Sequence, residues 1–172
     1  VPKIMNKLNA EYFLSPLLEA PLFSDVKSIV MAHDLIPLRY PSISFLTLYH
    51  LTYVPLILQQ SKLILCNSIS TANDLHIFYK VPRHKLFPIK LGFNNKKYYP
   101  ITNIRKKFFL IIGRHNPHKN LARVIQAFSI AKINDYKLVF VGSFDIRHTP
   151  SLIKIIDQLD SRHLCVWKGW IN

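Results

Sequence analysis

The chain has 172 residues, of which 49% are hydrophobic, and it carries 23 lysine and arginine residues against 9 aspartate and glutamate residues. This apolar content allows a packed core and excludes a globally disordered chain. The formal net charge of +14 points to a phosphate-rich partner, nucleic acid or an anionic membrane surface. Cys66 and Cys165 lie far apart in strand-like runs, which favours free thiols in a reducing compartment. No metal-ligand spacing and no membrane-spanning apolar run is found in the sequence.

The first half of the chain shows strand-like and helix-like patterns in turn. Residues 1–26 have little periodicity and predict loops and short helical pieces. Residues 27–32 predict a short buried strand, followed by an extended, irregular segment over 33–41. A helix is predicted over 44–60, and residues 62–66 predict the next strand.

A second helix is predicted to open with a capping box, in which Thr71 is followed three residues later by Asp74. Leu75 and Phe78 would lie on its buried face. A third short strand is predicted over 85–89, and its proline suits a sheet edge or a strand end.

A polar, basic and proline-bearing segment over 93–106 then predicts a linker between two halves. Alternating strands and helices on either side of it imply mostly parallel sheets with helices on both faces. The predicted elements after the linker are a buried strand over 108–112, a helix over 121–128, a strand over 136–142, a helix from Pro150 and a strand over 164–167.

The stretch after the strand at 108–112 has the features of an anion site. Gly113 ends the strand, Arg114 and Lys119 bring positive charge, and Asn120 leads into a helix whose N-terminus offers N–H groups and a positive dipole end. The functional interpretation is diphosphate binding. The alternative is a solvated basic loop in which Asn120 caps the helix, since the glycine patterns of known phosphate loops are missing. The residues alone leave both interpretations open.

Further candidates follow the strands of the first half. His33 and Asp34 come just after a strand, where open α/β sheets bind ligands, and the histidine could serve as a hydrogen-bond partner or proton carrier for a substrate hydroxyl. The alternative is a histidine satisfied by the backbone, with the aspartate in a turn. Ser68, Gly92 and Gly142 are further candidates for lining a cleft, although Ser68 taken alone favours a turn that leads into a helix.

Four segments, in their order and spacing, resemble retaining nucleotide-sugar glycosyltransferases of family 4, within the group 1 glycosyl transferases, which have the GT-B fold. Together they cover most of the chain, and the four are far more specific than any one of them. They are VMAHDLIPLRYP at 30–41, SKLILCNS at 61–68, VPRHKLFPIKLG at 81–92 and IIGRHNPHKNL at 111–121.

The resemblance implies an α/β, GT-B-like fold with two Rossmann-like halves and mostly parallel sheets, both incomplete in this chain. Residues 1–92 would form the C-terminal part of the N-terminal, acceptor-side domain, and 107–172 the N-terminal part of the C-terminal, donor-binding domain. The family's glycine-rich loop would precede Val1, and its pair of glutamates eight positions apart would follow Asn172. We therefore expect an internal fragment that is inactive alone.

The resemblance also implies roles for the candidate residues. His33, with Asp34 beside it, takes the catalytic place near the donor sugar, while Arg114 and Lys119 match the cations that bind the donor diphosphate. Gly113 would let the backbone approach the phosphates, and Asn120 completes the matching motif. No metal and no other cofactor is expected, because the two cations would stabilise the leaving group.

The expected reaction is transfer of a sugar, of hexosyltransferase type, from a nucleotide-diphosphate sugar to an acceptor hydroxyl with retained configuration. The expected setting is glycan or cell-envelope polysaccharide synthesis in the cytoplasm, at the inner face of the plasma membrane, with a glycan or lipid-linked acceptor. The alternative is a non-catalytic basic α/β module that binds anionic lipid or nucleic acid through its linker and helix faces. No RNA-recognition or helix-turn-helix pattern points to specific nucleic-acid binding.

Overall fold

The computed structural model describes residues 2–100 and 106–171, and within them the chain forms two compact α/β units. The units divide between Tyr98 and Tyr99. This position falls inside the segment that the sequence predicts as a linker, of which residues 101–105 lie outside the described part of the chain.

The first unit contains a parallel sheet of four strands with helices between them. Its elements in chain order are α1 (Pro2–Lys7), β1 (Tyr12–Ser15), β2 (Lys27–Ala32), α2 (Ile36–Arg39), α3 (Phe45–Gln60), β3 (Leu63–Cys66), α4 (Ile69–Tyr79), a 3-10 turn (Arg83–Lys85) and β4 (Leu86–Pro88). The strands lie side by side in sequence order, β1-β2-β3-β4. Ala32 at the end of β2 pairs with Cys66 at the end of β3, which in turn pairs with Pro88 of β4. The carboxyl ends of these strands therefore meet at one edge.

The second unit repeats this plan with three parallel strands. Its elements are β5 (Phe108–Ile112), a 3-10 turn (Pro117–Lys119), α5 (Leu121–Ala131), β6 (Lys137–Val141), α6 (Thr149–Gln158), a 3-10 turn (Arg162–Leu164) and β7 (Cys165–Lys168). The strand order is again sequential, β5-β6-β7. Ile112 pairs with Val141, which pairs with Lys168, so these three strands also end together.

In both sheets the buried residues lie on one face. Val30, Ile64 and Leu86 are neighbours across three strands of the first sheet and belong to one core with residues of α3 and α4. Leu138 and Phe140 take the same place in the second sheet, with residues of α5 and α6. Because the strands follow one another in one direction, right-handed crossovers bring all connecting helices to the same side. This differs from the expectation of helices on both faces.

Strand β5 is more exposed than the buried strand that the sequence predicts. Ile112 is 70% exposed, and Phe109 and Leu110 are close to half exposed. The strand lies at the edge of its sheet and has a strand neighbour on one side only among the described residues. On the covered face, Phe109 still packs its ring edge-to-face against Phe128 of α5, with 5.9 Å between ring centroids.

Helix α4 begins earlier than the predicted capping box indicates. Its N-cap is Ser68, whose hydroxyl oxygen accepts a hydrogen bond from the Thr71 backbone N–H at 3.0 Å. The prediction that Thr71 and Asp74 form the box is wrong, because the carboxylate of Asp74 accepts two hydrogen bonds from the guanidinium of Arg39, one of them from Nε at 2.7 Å. Phe78 is exposed and does not belong to the buried face.

Two further local expectations differ from the structure. Residues 36–39 form the short helix α2 instead of an extended segment, and Pro37 is accommodated in its first turn, where a proline N–H is not needed. Residues 12–15 form a strand that has one buried position, Ser15, and so lacks the hydrophobic alternation by which strands are recognised.

Candidate functional site

Three glycines end the three strands of the second sheet at one edge. Gly113 follows β5, Gly142 follows β6 and Gly169 follows β7. The N–H of Gly113 donates to the carbonyl of Val141 at 2.9 Å, and the N–H of Gly142 donates to that of Lys168 at 3.3 Å. Carboxyl ends of parallel strands are where open α/β sheets bind ligands, so the loops that start here are candidate ligand loops.

Gly113 and Gly142 approach each other so closely that Gly142 cannot carry a side chain. A Cβ atom at Gly142 would overlap the carbonyl group of Gly113, and the φ of +154° is itself unfavourable for other residues. Gly113 also has a positive φ of +135°, but among the described residues no heavy atom lies within 4 Å of the position that its Cβ would take. Gly142 therefore holds the strand ends together, while Gly113 leaves room for a ligand at the start of the loop.

The loop after Gly113 leads through the 3-10 turn to the N-terminus of α5. Asn120 ends the turn in the left-handed conformation, with φ of 53°, and occupies the N-cap position of the helix. Its side chain makes no capping hydrogen bond, although the sequence interpretation of a plain basic loop expects one. The first-turn N–H groups therefore lack that partner and can donate to an anion instead.

The two predicted cations of this loop are exposed and unpaired. Within residues 2–100 and 106–171, neither the Arg114 nor the Lys119 side chain forms a hydrogen bond or an ion pair. Both charges are thus available to a ligand, and Lys119 directly precedes the N-cap of α5, where the helix dipole is positive. The ion pairs described in this unit lie elsewhere and join Lys107 to Asp135, Arg147 to Asp145 and Arg162 to Asp157.

His115, which the sequence analysis does not single out, anchors this loop to the unit. Its side chain is buried, and Nδ1 lies 2.7 Å from the hydroxyl oxygen of Thr149 at the start of α6. That oxygen also accepts a hydrogen bond from the backbone N–H of Asp145 at 2.9 Å, so its own hydrogen can be donated to Nδ1 of the neutral ring. The imidazole packs edge-to-face on Trp167, whose ring is stacked on Phe140. The residue next to Arg114 is therefore held by Thr149 and by the rings of Trp167 and Phe140, the latter also edge-to-face.

Burial also disfavours the charged form of His115. Desolvation lowers the pKa of the imidazole from its ordinary value of 6.5, against a smaller opposing effect of the Asp145 carboxylate. Hydrogen bonds from Arg147 hold the pKa of Asp145 at about 2, so this carboxylate stays ionised over the range in which histidine titrates. A sequence signal for this anchor is absent, because a histidine in a polar loop normally indicates exposure.

In the first unit, the side chain of His33 is held at the end of β2. Its Nε2 lies 2.9 Å from the carbonyl oxygen of Pro16. A carbonyl can only accept a hydrogen bond, so Nε2 carries the hydrogen and Nδ1 keeps the lone pair in the neutral ring. Asp34 accepts a hydrogen bond from the Ile36 backbone N–H at 3.0 Å, which is a turn role at the start of α2. The structure thus brings the pair to the strand ends but directs the carboxylate toward its own backbone.

Ser68 lies at the end of the neighbouring strand, in a hydroxyl cluster centred on Thr71. The Thr71 hydroxyl lies 3.1 Å from the carbonyl of His33, 2.9 Å from the side-chain oxygen of Asn67 and 3.0 Å from the hydroxyl of Ser68. The ends of β2 and β3 are therefore tied together by one side chain. Gly92 lies in the exposed segment after β4, and within the described residues nothing approaches its Cβ position within 4 Å.

No group of three or more metal-ligating side chains is found among residues 2–100 and 106–171. In the same part of the chain, no helix combines the length and the apolar character that crossing a bilayer requires. Both cysteines are free thiols, with Cys66 buried in the core of the first unit.

Comparison with known proteins relates the second unit to a family and both units to a fold. Residues 96–172, less than half of the chain, match the family model of Glycosyl transferases group 1. No curated protein sequence matches the chain.

Several solved structures share the fold. The structure of HepE from Anabaena in complex with UDP and glucose has a TM-score of 0.67 at 14% identity, over 85% of this chain and 42% of that one. Sucrose-phosphate synthase from Thermosynechococcus elongatus has a TM-score of 0.69 at 15% identity, over 99% of this chain and 48% of that one. A glycosyltransferase from Rickettsia africae gives 0.63 at 18% identity, over 99% and 49%. The fold is thus that of GT-B glycosyltransferases, with two Rossmann-like α/β units, and this chain spans less than half of each neighbour.

The contact between the two glycines predicts that Gly142→Ala destabilises the second unit. The new methyl group must displace the Gly113 carbonyl, and the alanine backbone must keep a φ that is unfavourable for it. We expect these two effects to lower the unfolding free energy by about 1–3 kcal/mol. Urea titration followed by tryptophan fluorescence measures this unit, because both tryptophans, Trp167 and Trp170, lie in it. The matched control is Gly169→Ala, whose Cβ position is open among the described residues. Equal effects of the two substitutions would contradict the close contact.

The burial of His115 predicts a pH dependence of the same unfolding transition. Because its pKa is lowered in the folded state, the unfolded chain binds more protons below pH 6.5, and the unfolding free energy falls as the pH is lowered through that value. His115→Leu should flatten this slope, while the exposed control His163→Gln should keep it. A slope unchanged in His115→Leu would show that another group titrates.

At neutral pH, Thr149→Val should lower the unfolding free energy by about 1–3 kcal/mol, because it leaves the His115 ring and the Asp145 N–H unpaired.

Proposed function

We propose that the second unit binds the diphosphate of a nucleotide sugar and that the protein takes part in retaining glycosyl transfer of the family 4 type. The observation that carries this proposal is the loop from Gly113 to Asn120. It combines two exposed, unpaired cations, an uncapped helix N-terminus and an open position at Gly113. These are three independent means of binding the same kind of ligand, an oxyanion with more than one charge.

The proposed chemistry follows from where charge develops. When the bond between the sugar and the diphosphate breaks, negative charge accumulates on the leaving phosphate oxygen. Arg114 and Lys119 would neutralise this charge, and the N–H groups at the start of α5 would donate hydrogen bonds to the phosphate oxygens. The proposal includes no metal ion, since the two cations take over the role that a divalent ion would otherwise have.

His33 is the proposed catalytic residue of the first unit. With Nε2–H donated to the Pro16 carbonyl, the ring is fixed in orientation and presents Nδ1 as an acceptor for a sugar or acceptor hydroxyl. Asp34, whose carboxylate bonds to the backbone of α2, would act by shaping the segment that follows His33. Ser68 and Thr71 would hold the neighbouring strand end in place, since both belong to the hydroxyl cluster that reaches the His33 carbonyl.

The comparisons support the donor class. The matched family model consists of glycosyl transferases, and the matched HepE structure is a complex with UDP and glucose. We therefore propose a UDP- or GDP-hexose as donor and a glycan or lipid-linked acceptor in envelope polysaccharide synthesis. The proposed location is the cytoplasm, at the inner face of the plasma membrane.

Nucleotide binding by the 172-residue chain tests the donor site. We expect UDP- or GDP-sugar binding in calorimetric titrations, with Kd raised about 10- to 100-fold in Arg114→Ala and in Lys119→Ala, because each loses a charge-assisted contact of about 1.5–3 kcal/mol. Lys154→Ala is the matched control, since this exposed lysine of α6 belongs to the same unit and lies outside the loop. Binding is a better readout than turnover, because the chain spans less than half of its structural neighbours.

Two results would contradict the proposal. One is nucleotide-sugar binding that is equally strong in both loop variants and in the lysine control. The other is the absence of any nucleotide binding together with salt-sensitive binding to nucleic acid or lipid, which would favour a non-catalytic basic module.

A further inference from the structure

We infer that the outer face of helix α3 is a membrane-docking surface that inserts into the interface of an anionic bilayer. The helix has 16 residues, FLTLYHLTYVPLILQQ, and none of them is aspartate, glutamate, lysine or arginine. A helix that is apolar on all sides is normally buried on all sides or faces lipid. This helix is buried on one side only.

One side of α3 is buried. His50, Val54, Ile57 and Leu58 pack into the core of the first unit. Away from this side lies an apolar strip of Phe45, Leu48 and Leu51, which follow one another at the helical spacing of three and are 82%, 56% and 62% exposed. Leu56, beyond the exposed Thr52, is 46% exposed. Ile43, just before the helix, is fully exposed as well. Contiguous exposed apolar residues of this size mark an interaction surface.

The charges around α3 identify the occupant as an anionic surface. Asp74 is the only acidic residue between Asp34 and Asp135, and it is paired with Arg39. Eight lysine and arginine residues of the first unit lie between Asp34 and the end of this unit at Tyr98. The uncharged helix α3 therefore belongs to a strongly basic stretch of the first unit.

Lysines of this stretch lie next to the C-terminal end of α3. The ammonium group of Lys85 donates a hydrogen bond to the carbonyl of Gln59 at 2.9 Å. Lys80 lines the same groove as Pro55 and Gln59, and Lys62 follows the helix by two residues. The carboxylates that do reach the helix, Glu19 at Tyr49 and Asp34 at His50, act on its half-buried and buried positions instead of its outer strip.

An anionic bilayer satisfies both parts of this surface. Its acyl boundary takes up the apolar strip, and its headgroups attract the lysines. A second copy of the chain would bring the same positive charge to the contact and be repelled. Nucleic acid would attract the lysines, but its charged backbone provides no apolar surface against which the leucine side chains could be buried. This inference rests on the membrane location proposed above but is independent of the donor site, because neither Arg114 nor Lys119 contributes to the strip.

Vesicle flotation of the full chain tests the inference. We expect binding to vesicles of phosphatidylcholine mixed with phosphatidylglycerol, and much weaker binding to phosphatidylcholine alone or at high salt. The combined variant Phe45→Gln, Leu48→Gln, Leu51→Gln should bind about tenfold or more weakly, because the buried apolar area is lost. Its matched control replaces three exposed apolar residues of the second unit, Ile130→Gln, Phe144→Gln and Ile146→Gln, and should bind as the unchanged chain does. Circular dichroism checks that both variants fold.

Insertion is distinguished from adsorption by a tryptophan placed on the strip. In Leu51→Trp, fluorescence should shift to the blue and be quenched by brominated lipid, while Ile130→Trp should show neither change. Lys62→Gln with Lys80→Gln should weaken vesicle binding more than the pair Lys132→Gln with Lys154→Gln, which are exposed lysines of the second unit.

Three outcomes would overturn the inference. The first is equal vesicle binding by the α3 variant and its control. The second is a lack of binding to the anionic vesicles, with or without RNA binding, and the third is a concentration-dependent dimer that is lost in the α3 variant. If the α3 variant still binds nucleotide sugar, the loss of vesicle binding and the donor site are independent, so each of the two proposals is tested separately.

Discussion

The handedness of the strand connections is the constraint on which the rest of this structure depends. In both sheets the strands are parallel and follow one another in sequence order, so each right-handed crossover places its helix on the same face as the one before. The same arrangement brings every strand's carboxyl end to one edge. A single rule therefore fixes where the two cores lie, which faces stay uncovered among the described residues, and where polar loops collect.

The loop at the edge of the second sheet is held by contacts that involve neither of its two cations. Gly142 lets the backbones of two strand ends touch, and His115 fastens the loop to Thr149 and Trp167. Arg114 and Lys119 are left free of protein partners in the described part of the chain. This division of roles is what a preorganised anion site requires, because positions are fixed before the ligand arrives while the charges stay available.

The first unit likewise separates a charged pair that holds helices together from an uncharged helix face that is left exposed. The acidic residue of its basic stretch, Asp74, is used to hold α2 against α4 through Arg39. The helix between them, α3, keeps an uncharged outer face beside lysines. An uncharged helix face beside cations is the combination of features that interfacial membrane binding uses.

The sequence by itself determined the parallel α/β architecture, the bounds of most strands and helices to within a few residues, and the place of the glycine–arginine–lysine loop, because these features are encoded in local periodicity and punctuation. It missed what depends on residues distant in sequence. His115 became buried through Thr149, and Asp74 left its predicted cap for Arg39, 35 residues away. It likewise predicted a buried β5, which proved to be an exposed edge strand. Only the tertiary structure decided these points, since the burial of a side chain and the partner of a charge are set by which elements the crossovers bring together.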